Sequence, residues 1–260
     1  MASKSAGSLT HLDLHSNLLG SDGVRRLAGV LAQCTTLRYL GLSVNAIGPT
    51  GAEALAGELA HCRALNHLDV IFNEIEAVGT ERLAGVLGQC RKLVHLNLRG
   101  NEIDDAATER LAGVLAQCTA LAHLDLGHND IGDAGTERLS TVLAQCTALA
   151  HLDLCDNGIG PGGADKLAGV LGQCRALAHL NLSDNQIEDS GAEIIAAVLG
   201  ECPELRNLNL EDNSIGFVGN RRLTFYRTGT LEVRVDEDFD SEEEDDDAEE
   251  EDDEEEEDWP

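Results

Sequence analysis

The sequence is poor in aromatic residues and lacks long apolar segments, and both shortages limit what it encodes. Aromatic residues make up 3% of the 260 positions, whereas 42% are hydrophobic. A core of Leu, Ala, Val and Ile with few large rings is typical of one small packing unit repeated many times. No apolar run reaches the roughly 18 residues of a transmembrane helix. The first residues, MASKSAGSLT, lack the apolar run of a secretory signal, so we expect no membrane association.

The cysteines lack the paired CxxC spacing of a zinc ribbon. Seven of the eight recur every 28 residues, at Cys34, Cys62, Cys90, Cys118, Cys146, Cys174 and Cys202. One cysteine at a fixed place in each unit is typical of a small buried hydrophobe in a reducing compartment. We therefore predict a cytoplasmic or nuclear protein, or one found in both compartments, with no metal and no cofactor.

Basic residues are also scarce, with 18 Lys and Arg against 48 Asp and Glu and a net charge of −30. Twenty of the acidic residues lie among the 23 positions from 236 to 258. Such charge density prevents a packed core, which predicts a disordered acidic tail over 236–260 that repels nucleic acid. Within it, Ser241 precedes three glutamates, a pattern typical of a substrate of an acid-directed kinase.

The 28-residue period organises the rest of the chain. Eight units align without insertion, and they begin at Leu9, Leu37, Leu65, Leu93, Leu121, Leu149, Leu177 and Leu205. Each follows LxxLxLxxNxIxxxGxxxLxxxLxxC with small departures, a pattern that contains the leucine-rich-repeat signature LxxLxLxxN. The chain resembles ribonuclease-inhibitor-type leucine-rich repeats from residue 9 to about 235. The resemblance implies an α/β fold: a right-handed horseshoe solenoid with a parallel sheet on the concave face and helices on the convex face.

Within each unit, LxxLxL predicts a short strand, and the later glycine is expected to begin a helix, as in GTERLSTVLAQCTAL. The predicted domains are a short polar segment (1–8), eight repeats closed by a capping strand (9–235) and the acidic tail (236–260). The cap includes Phe217, Phe225 and Tyr226 and ends in LEVRV, which arrives two residues early.

The first unit has only eight polar residues before it, too few for a cap. Three alternatives follow: Leu12, Leu14 and Leu27 are partly exposed, the natural chain is longer, or a partner covers this end.

An asparagine occupies the ninth position of every unit. Its amide can satisfy both backbone donors and acceptors where the chain turns off a strand, which favours a structural ladder over a binding row. The predicted ladder comprises Asn17, Asn45, Asn73, Asn101, Asn129, Asn157, Asn185 and Asn213.

Positions 3, 5 and 7 of each unit are expected to face outward on the concave sheet. Position 3 gives a column of mostly histidine, and position 5 gives a column of mostly Asp and Asn. Metal binding, His/Asp catalysis and a solvated polar face are the three interpretations. The third is favoured, because parallel columns form no closed pocket and every candidate dyad is repeated. We expect the histidines to charge near pH 6 and to make binding on this face pH-dependent.

Positions 7 and 8 vary most between units, so recognition is expected there. An apolar group beside Arg99 is predicted from Tyr39, Val44, Ile71 and Phe72. The alternative is that Val44 or Phe72 packs under the following turn. The predicted partner-binding residues on the concave face and edge are Tyr39, Val44, His67, Ile71, Phe72, His95, Arg99, His123, His128, His151, Cys155 and Asp156.

The pattern predicts a non-enzymatic scaffold that binds a protein partner, in an oligomeric state that the sequence leaves open. Repeats followed by an acidic tail also resemble the Ran GTPase-activating proteins. This resemblance implies stimulation of GTP hydrolysis by a Ran-like small GTPase, with Arg99 and Asn101 as the first positions to inspect. A second alternative is a chaperone that holds histones or other basic proteins with its acidic tail.

Overall fold

The computed structural model describes residues 8–225 and 230–236, in which each unit forms one strand and one helix. The strands are His11–Asp13 (β1), Tyr39–Gly41 (β2), His67–Asp69 (β3), His95–Asn97 (β4), His123–Asp125 (β5), His151–Asp153 (β6), His179–Asn181 (β7), Asn207–Asn209 (β8) and Glu232–Arg234 (β9). The helices are Gly20–Leu31 (α1), Gly48–Leu59 (α2), Glu76–Leu87 (α3), Asp105–Leu115 (α4), Asp133–Leu143 (α5), Pro161–Leu171 (α6), Glu188–Val198 (α7) and Phe217–Thr224 (α8), with a short 3₁₀ helix at Leu199–Glu201. Tyr226, Ser241 and the predicted tail beyond Asp236 lie outside the described residues.

All nine strands join one parallel sheet in chain order, and the helices pack side by side behind it. Leu40 pairs with Leu68, which pairs with Leu96, so neighbouring strands lie in register at the 28-residue period. The predicted leucine-rich-repeat solenoid is therefore confirmed. In β9, Glu232 pairs with Asn207, 25 residues earlier. The last strand thus arrives three residues early, not two.

The core is a continuous layer between the sheet and the helices. In the fifth unit, Leu124 and Leu126 on the strand side and Leu139 and Leu143 on the helix are buried. Each unit buries these side chains against the units on either side, because one strand and one helix enclose too little core alone. In the first unit the three leucines expected to be partly exposed are half-buried: Leu12, Leu14 and Leu27.

The sequence pattern predicts that the glycine of each unit begins the helix. It lies instead two or three residues after the first residue of the helix. Gly135 shows the reason: a Cβ atom there would approach Ile131 Cγ2 to 2.8 Å and Asp105 Oδ1 to 3.0 Å. The glycine therefore lets α5 pack closely on its own entering loop and on the preceding helix. In the fourth unit Ala107 fills the same position and is buried.

All eight cysteines lie within the described residues and are free thiols. Five of the seven periodic cysteines are buried, and Cys174 and Cys202 are half-buried. Burial is the main reason why the pKa values of Cys62 and Cys118 rise to about 11, so these thiols stay protonated at neutral pH. Over residues 8–225 and 230–236, no helix combines the length and apolar character that a membrane span requires.

Candidate functional site: the concave face and its edge

The asparagines at position 9 form a hydrogen-bond ladder where the strands lead into the loops. Asn101 Nδ2 donates to the carbonyl oxygens of Val70, Leu98 and Arg99 at 3.0, 2.9 and 3.1 Å. Its Oδ1 accepts the backbone N–H of Asn73 at 3.2 Å. One amide therefore binds both its own unit and the preceding one. Every member except Asn17 is buried.

The position-3 side chains stack as a continuous row of aromatic rings along the concave sheet. Neighbouring ring centroids are 4.1–4.9 Å apart, and the row runs through His11, Tyr39, His67, His95, His123, His151 and His179. The five rings from His67 to His179 line an open groove of about 470 Å³. The parallel register places each ring above the next, and stacking of neutral rings is favourable. We call this row the histidine stack.

Four histidines of the histidine stack are harder to protonate than the sequence predicted. Burial, reinforced by neighbouring histidines, lowers the pKa of His123 to about 4. Burial is also the main cause that lowers the pKa values of His67, His95 and His151. His123 therefore stays mostly neutral at pH 6, and the expected charging of these four rings near that pH is corrected toward more acidic conditions.

The Asp and Asn side chains at position 5 have a structural role that sequence reasoning missed. Asp125 Oδ1 accepts the backbone N–H of Gly127 at 2.9 Å, and Asp153 Oδ1 accepts that of Cys155 at 2.9 Å. The same contact, two residues along the chain, recurs in every unit except the second, which has Gly41. These local Asx hydrogen bonds explain why the other seven units have either Asp or Asn at position 5.

Cys155 is buried, contrary to the expectation that it faces a partner. Only 3% of its surface is exposed, because the Arg99 side chain reaches across Gly127 and its Nη1 donates to Cys155 Sγ at 3.0 Å. A Cβ atom on Gly127 would lie 2.5 Å from that Nη1 atom, so glycine leaves the required space. Burial and the adjacent Asp153 carboxylate raise the pKa of Cys155 to about 12, which makes it a poor nucleophile.

Phe72, at position 8 of its unit, makes a contact analogous to that of Arg99 at position 7. Its ring lies over Gly100, where a Cβ atom would approach Phe72 Cδ1 to 2.1 Å, and it meets the His128 ring at a centroid distance of 5.9 Å. His128 Nδ1 contacts an Asp156 carboxylate oxygen. In both cases a large side chain spans a glycine in the next unit and touches the unit beyond. A glycine one period after a large residue is the sequence signal that could have revealed both contacts.

Val44 and Phe72 have exposed side chains and a left-handed backbone conformation that is unfavourable for their residue types. They are 39% and 49% exposed, and their φ angles are 56° and 48°. Every unit has the left-handed backbone at this position, but the other six place Ser, Gly, His or Asp there. The left-handed conformation costs an L-residue roughly 1–2 kcal/mol and suits β-branched or bulky residues least. We call Val44, Ile71, Phe72, Arg99 and His128 the edge surface.

The predicted site residues thus fall into distinct places. Tyr39, His67, His95, His123 and His151 lie in the stack, half-buried. On the edge surface, Ile71 and Arg99 are half-buried, whereas His128 is exposed, as is the neighbouring Asp156. Asn101, one of the two positions indicated by the resemblance to Ran GTPase activators, is fully buried in the ladder and has no surface for a partner. Among the described residues, no group of three or more His, Cys, Asp or Glu could hold a metal ion.

Parallel strands at a 28-residue register, helices behind them and a buried asparagine ladder define a leucine-rich-repeat solenoid. The chain belongs to the Leucine Rich repeat family, whose profile matches residues 8–28, 33–56, 89–112, 117–140, 145–168 and 173–196. Family membership supports a scaffold for a protein partner, because stacked repeats offer an extended binding surface.

A solved structure, that of internalin C2, gives the same fold. Internalin C2 of Listeria monocytogenes is 21% identical, with a TM-score of 0.62 over 91% of this chain and 84% of that one. The actin-binding site 2 of leiomodin-1 is 18% identical, with a TM-score of 0.47 over 56% of this chain and 83% of that one. A comparison with curated protein sequences gave no match.

Proposed function

We propose that this protein is a non-enzymatic scaffold that binds a partner protein through the concave sheet and the edge surface, with Val44 and Phe72 as apolar anchors. The observation that carries the proposal is their combination of exposure and left-handed backbone. Both features cost stability, and the fold accepts Asp156, Asp184 and Asp212 at the same position with the same backbone. Strained residues that the fold does not require are a reason to infer function.

The neighbours of these anchors suit recognition. Phe72 is held from one side by Gly100 and His128, so its ring loses little freedom when a partner covers it. Aromatic anchors that are already oriented dominate many protein interfaces. The half-buried Arg99 and the histidine stack continue the surface onto the concave face with polar groups.

Affinity capture from the native source with Val44→Asp and Phe72→Asp variants tests the proposal. Aspartate is accepted at this position in three other units, so we expect free energies of unfolding within about 1 kcal/mol of the wild-type value. Proteins captured by the wild type should be lost from both variants. Val78→Asp is the matched control, since Val78 is 58% exposed on helix α3, away from the edge surface. Equal capture by all three variants would place the binding site elsewhere.

A further inference from the structure

A second apolar surface lies at the other end of the molecule, between helices α7 and α8. It is a groove of about 850 Å³, lined by Phe217 and Val218 of α8 and by Phe225, which directly follows that helix. Phe217 is 65% exposed and Phe225 is 75% exposed. Arg221 and Arg222 lie in the same groove, and Arg222 Nε is 3.6 Å from Glu193 Oε1 of α7.

The residues of this groove depart from the pattern of all earlier helices. At the position of Phe225 the seven preceding units have only Gly, Ala or Thr. At the position of Arg221, units two to seven have only Glu or Asp. The first unit also has an arginine, Arg25, at the position of Arg221, but it has Gly29 at the position of Phe225, so only the last unit combines a cationic residue with an aromatic one there. Within the described part of the chain, Arg221 has no ion-pair partner.

The described chain ends beside this helix. The Asp236 carbonyl oxygen accepts from Asn220 Nδ2 of α8 at 3.3 Å, and the Asp236 carboxylate accepts the backbone N–H of Asp212 at 3.0 Å. The remaining 24 residues, 237–260, contain 19 acidic side chains together with Phe239 and Trp259. Fully extended they could span about 80 Å, whereas α8 is only about 12 Å long, so the groove is well within reach.

We propose that residues 237–260 bind the α7–α8 groove of their own chain. Acidic side chains of this segment pair with Arg221 and Arg222, and the Trp259 ring packs against Phe217 and Phe225. Charge complementarity favours this site over helices α2–α7, because their acidic residues at the Arg221 position repel the segment, and helix α1 offers no aromatic side chain at the position of Phe225. The covalent connection at Asp236 raises the local concentration to the millimolar range, so even weak contacts suffice.

Trp259 is the only tryptophan of the chain, so the full-length protein reports this contact by its own fluorescence. In the wild type we expect blue-shifted emission and low accessibility to acrylamide. Phe225→Ala and Arg221→Glu introduce residues that earlier units carry at the same positions, as Ala197 and Glu193. Each should shift the emission to the red and raise the acrylamide quenching constant severalfold, and salt at about 1 M should do the same to the wild type.

Val78→Ala on helix α3 is the control and should leave the emission of Trp259 unchanged, while circular dichroism checks that each variant remains folded. Emission independent of protein concentration supports binding within one chain. Emission that shifts red on dilution would instead assign the groove to the tail of a second copy and overturn the proposal. The proposal would also be overturned if Trp259 of the wild type were as accessible to acrylamide as Trp259 of both groove variants. It would equally be overturned if Trp259 were shielded in the wild type and neither variant changed that shielding.

Discussion

The asparagine ladder and the histidine stack run along the same sheet with the same 28-residue period, yet they differ in what holds them. Every ladder residue except Asn17 is buried, and an interior amide such as Asn101 binds backbone groups of two units. Stack residues other than the exposed His11 are half-buried, and they touch one another through their rings. A fixed period therefore shows that a position is repeated, but burial and hydrogen bonding decide whether the fold depends on it.

The largest expected effect comes from removing one interior amide of the ladder. In Asn101→Ala the buried Asn73 N–H loses its acceptor, whereas the carbonyl groups of Val70, Leu98 and Arg99 each lose one donor and keep another. One buried N–H left unpaired costs about 1–3 kcal/mol and each lost hydrogen bond about 0.5–1.5 kcal/mol, so we expect a total loss of about 3 kcal/mol. Urea unfolding measures it.

The matched variant in the other column is His95→Ala, which removes two ring contacts and leaves no buried backbone group unpaired. Stacked pairs contribute about 0.5–1.5 kcal/mol, and the deleted ring is only half-buried in the wild type. We therefore expect a loss of about 1 kcal/mol in the free energy of unfolding. Similar losses in the two variants would mean that the columns contribute equally to the fold, against the distinction drawn above.

The second effect concerns the glycine beneath Phe72. In Gly100→Ala the new methyl group would overlap the Phe72 ring, and the residue would keep a φ of 65°. We expect a loss of about 2 kcal/mol, from roughly 1–2 kcal/mol of backbone strain plus the displaced ring. Gly113→Ala is the control: nothing lies within 4 Å of its Cβ position on α4, and helix propensity should stabilise that variant by about 0.5–1 kcal/mol. Thermal and urea denaturation should show opposite signs.

The third effect is a pH dependence of the free energy of unfolding. It distinguishes the histidine stack from the asparagine ladder, because asparagine side chains do not titrate. The pKa of His123 is about 4 when folded and about 6.5 in an unfolded chain. Between these values the unfolded chain binds more protons, so the free energy of unfolding falls as pH decreases from about 6.5 to about 4. His123→Asn, which introduces the residue found at Asn207, should flatten this decline in urea titrations. An unchanged slope would assign the acid sensitivity to other groups.

The repeated part of this architecture was predictable from the sequence, and the particular contacts between units were not. Spacing alone placed the strands, the leucine core and the role of Asn101, because every unit repeats them. The burial of Cys155 was missed since it depends on Arg99 reaching two units along the array, a distance that no single repeat encodes. The sequence also overestimated how readily His123 charges, because its desolvation arises only when the rings stack.

The smallest effect is expected at the exposed end of the ladder itself. Asn17 is the only ladder residue that is exposed, and its Nδ2 donates to the carbonyl oxygen of His15 at 3.0 Å. Water can replace that bond, so Asn17→Ala should cost less than about 1 kcal/mol in urea unfolding, a fraction of the loss at Asn101. A loss as large as that of Asn101→Ala would mean that the amide contributes through its conformation and not through burial. The small value expected here would instead show that the ladder stabilises the fold only where a preceding unit supplies carbonyl groups and excludes water.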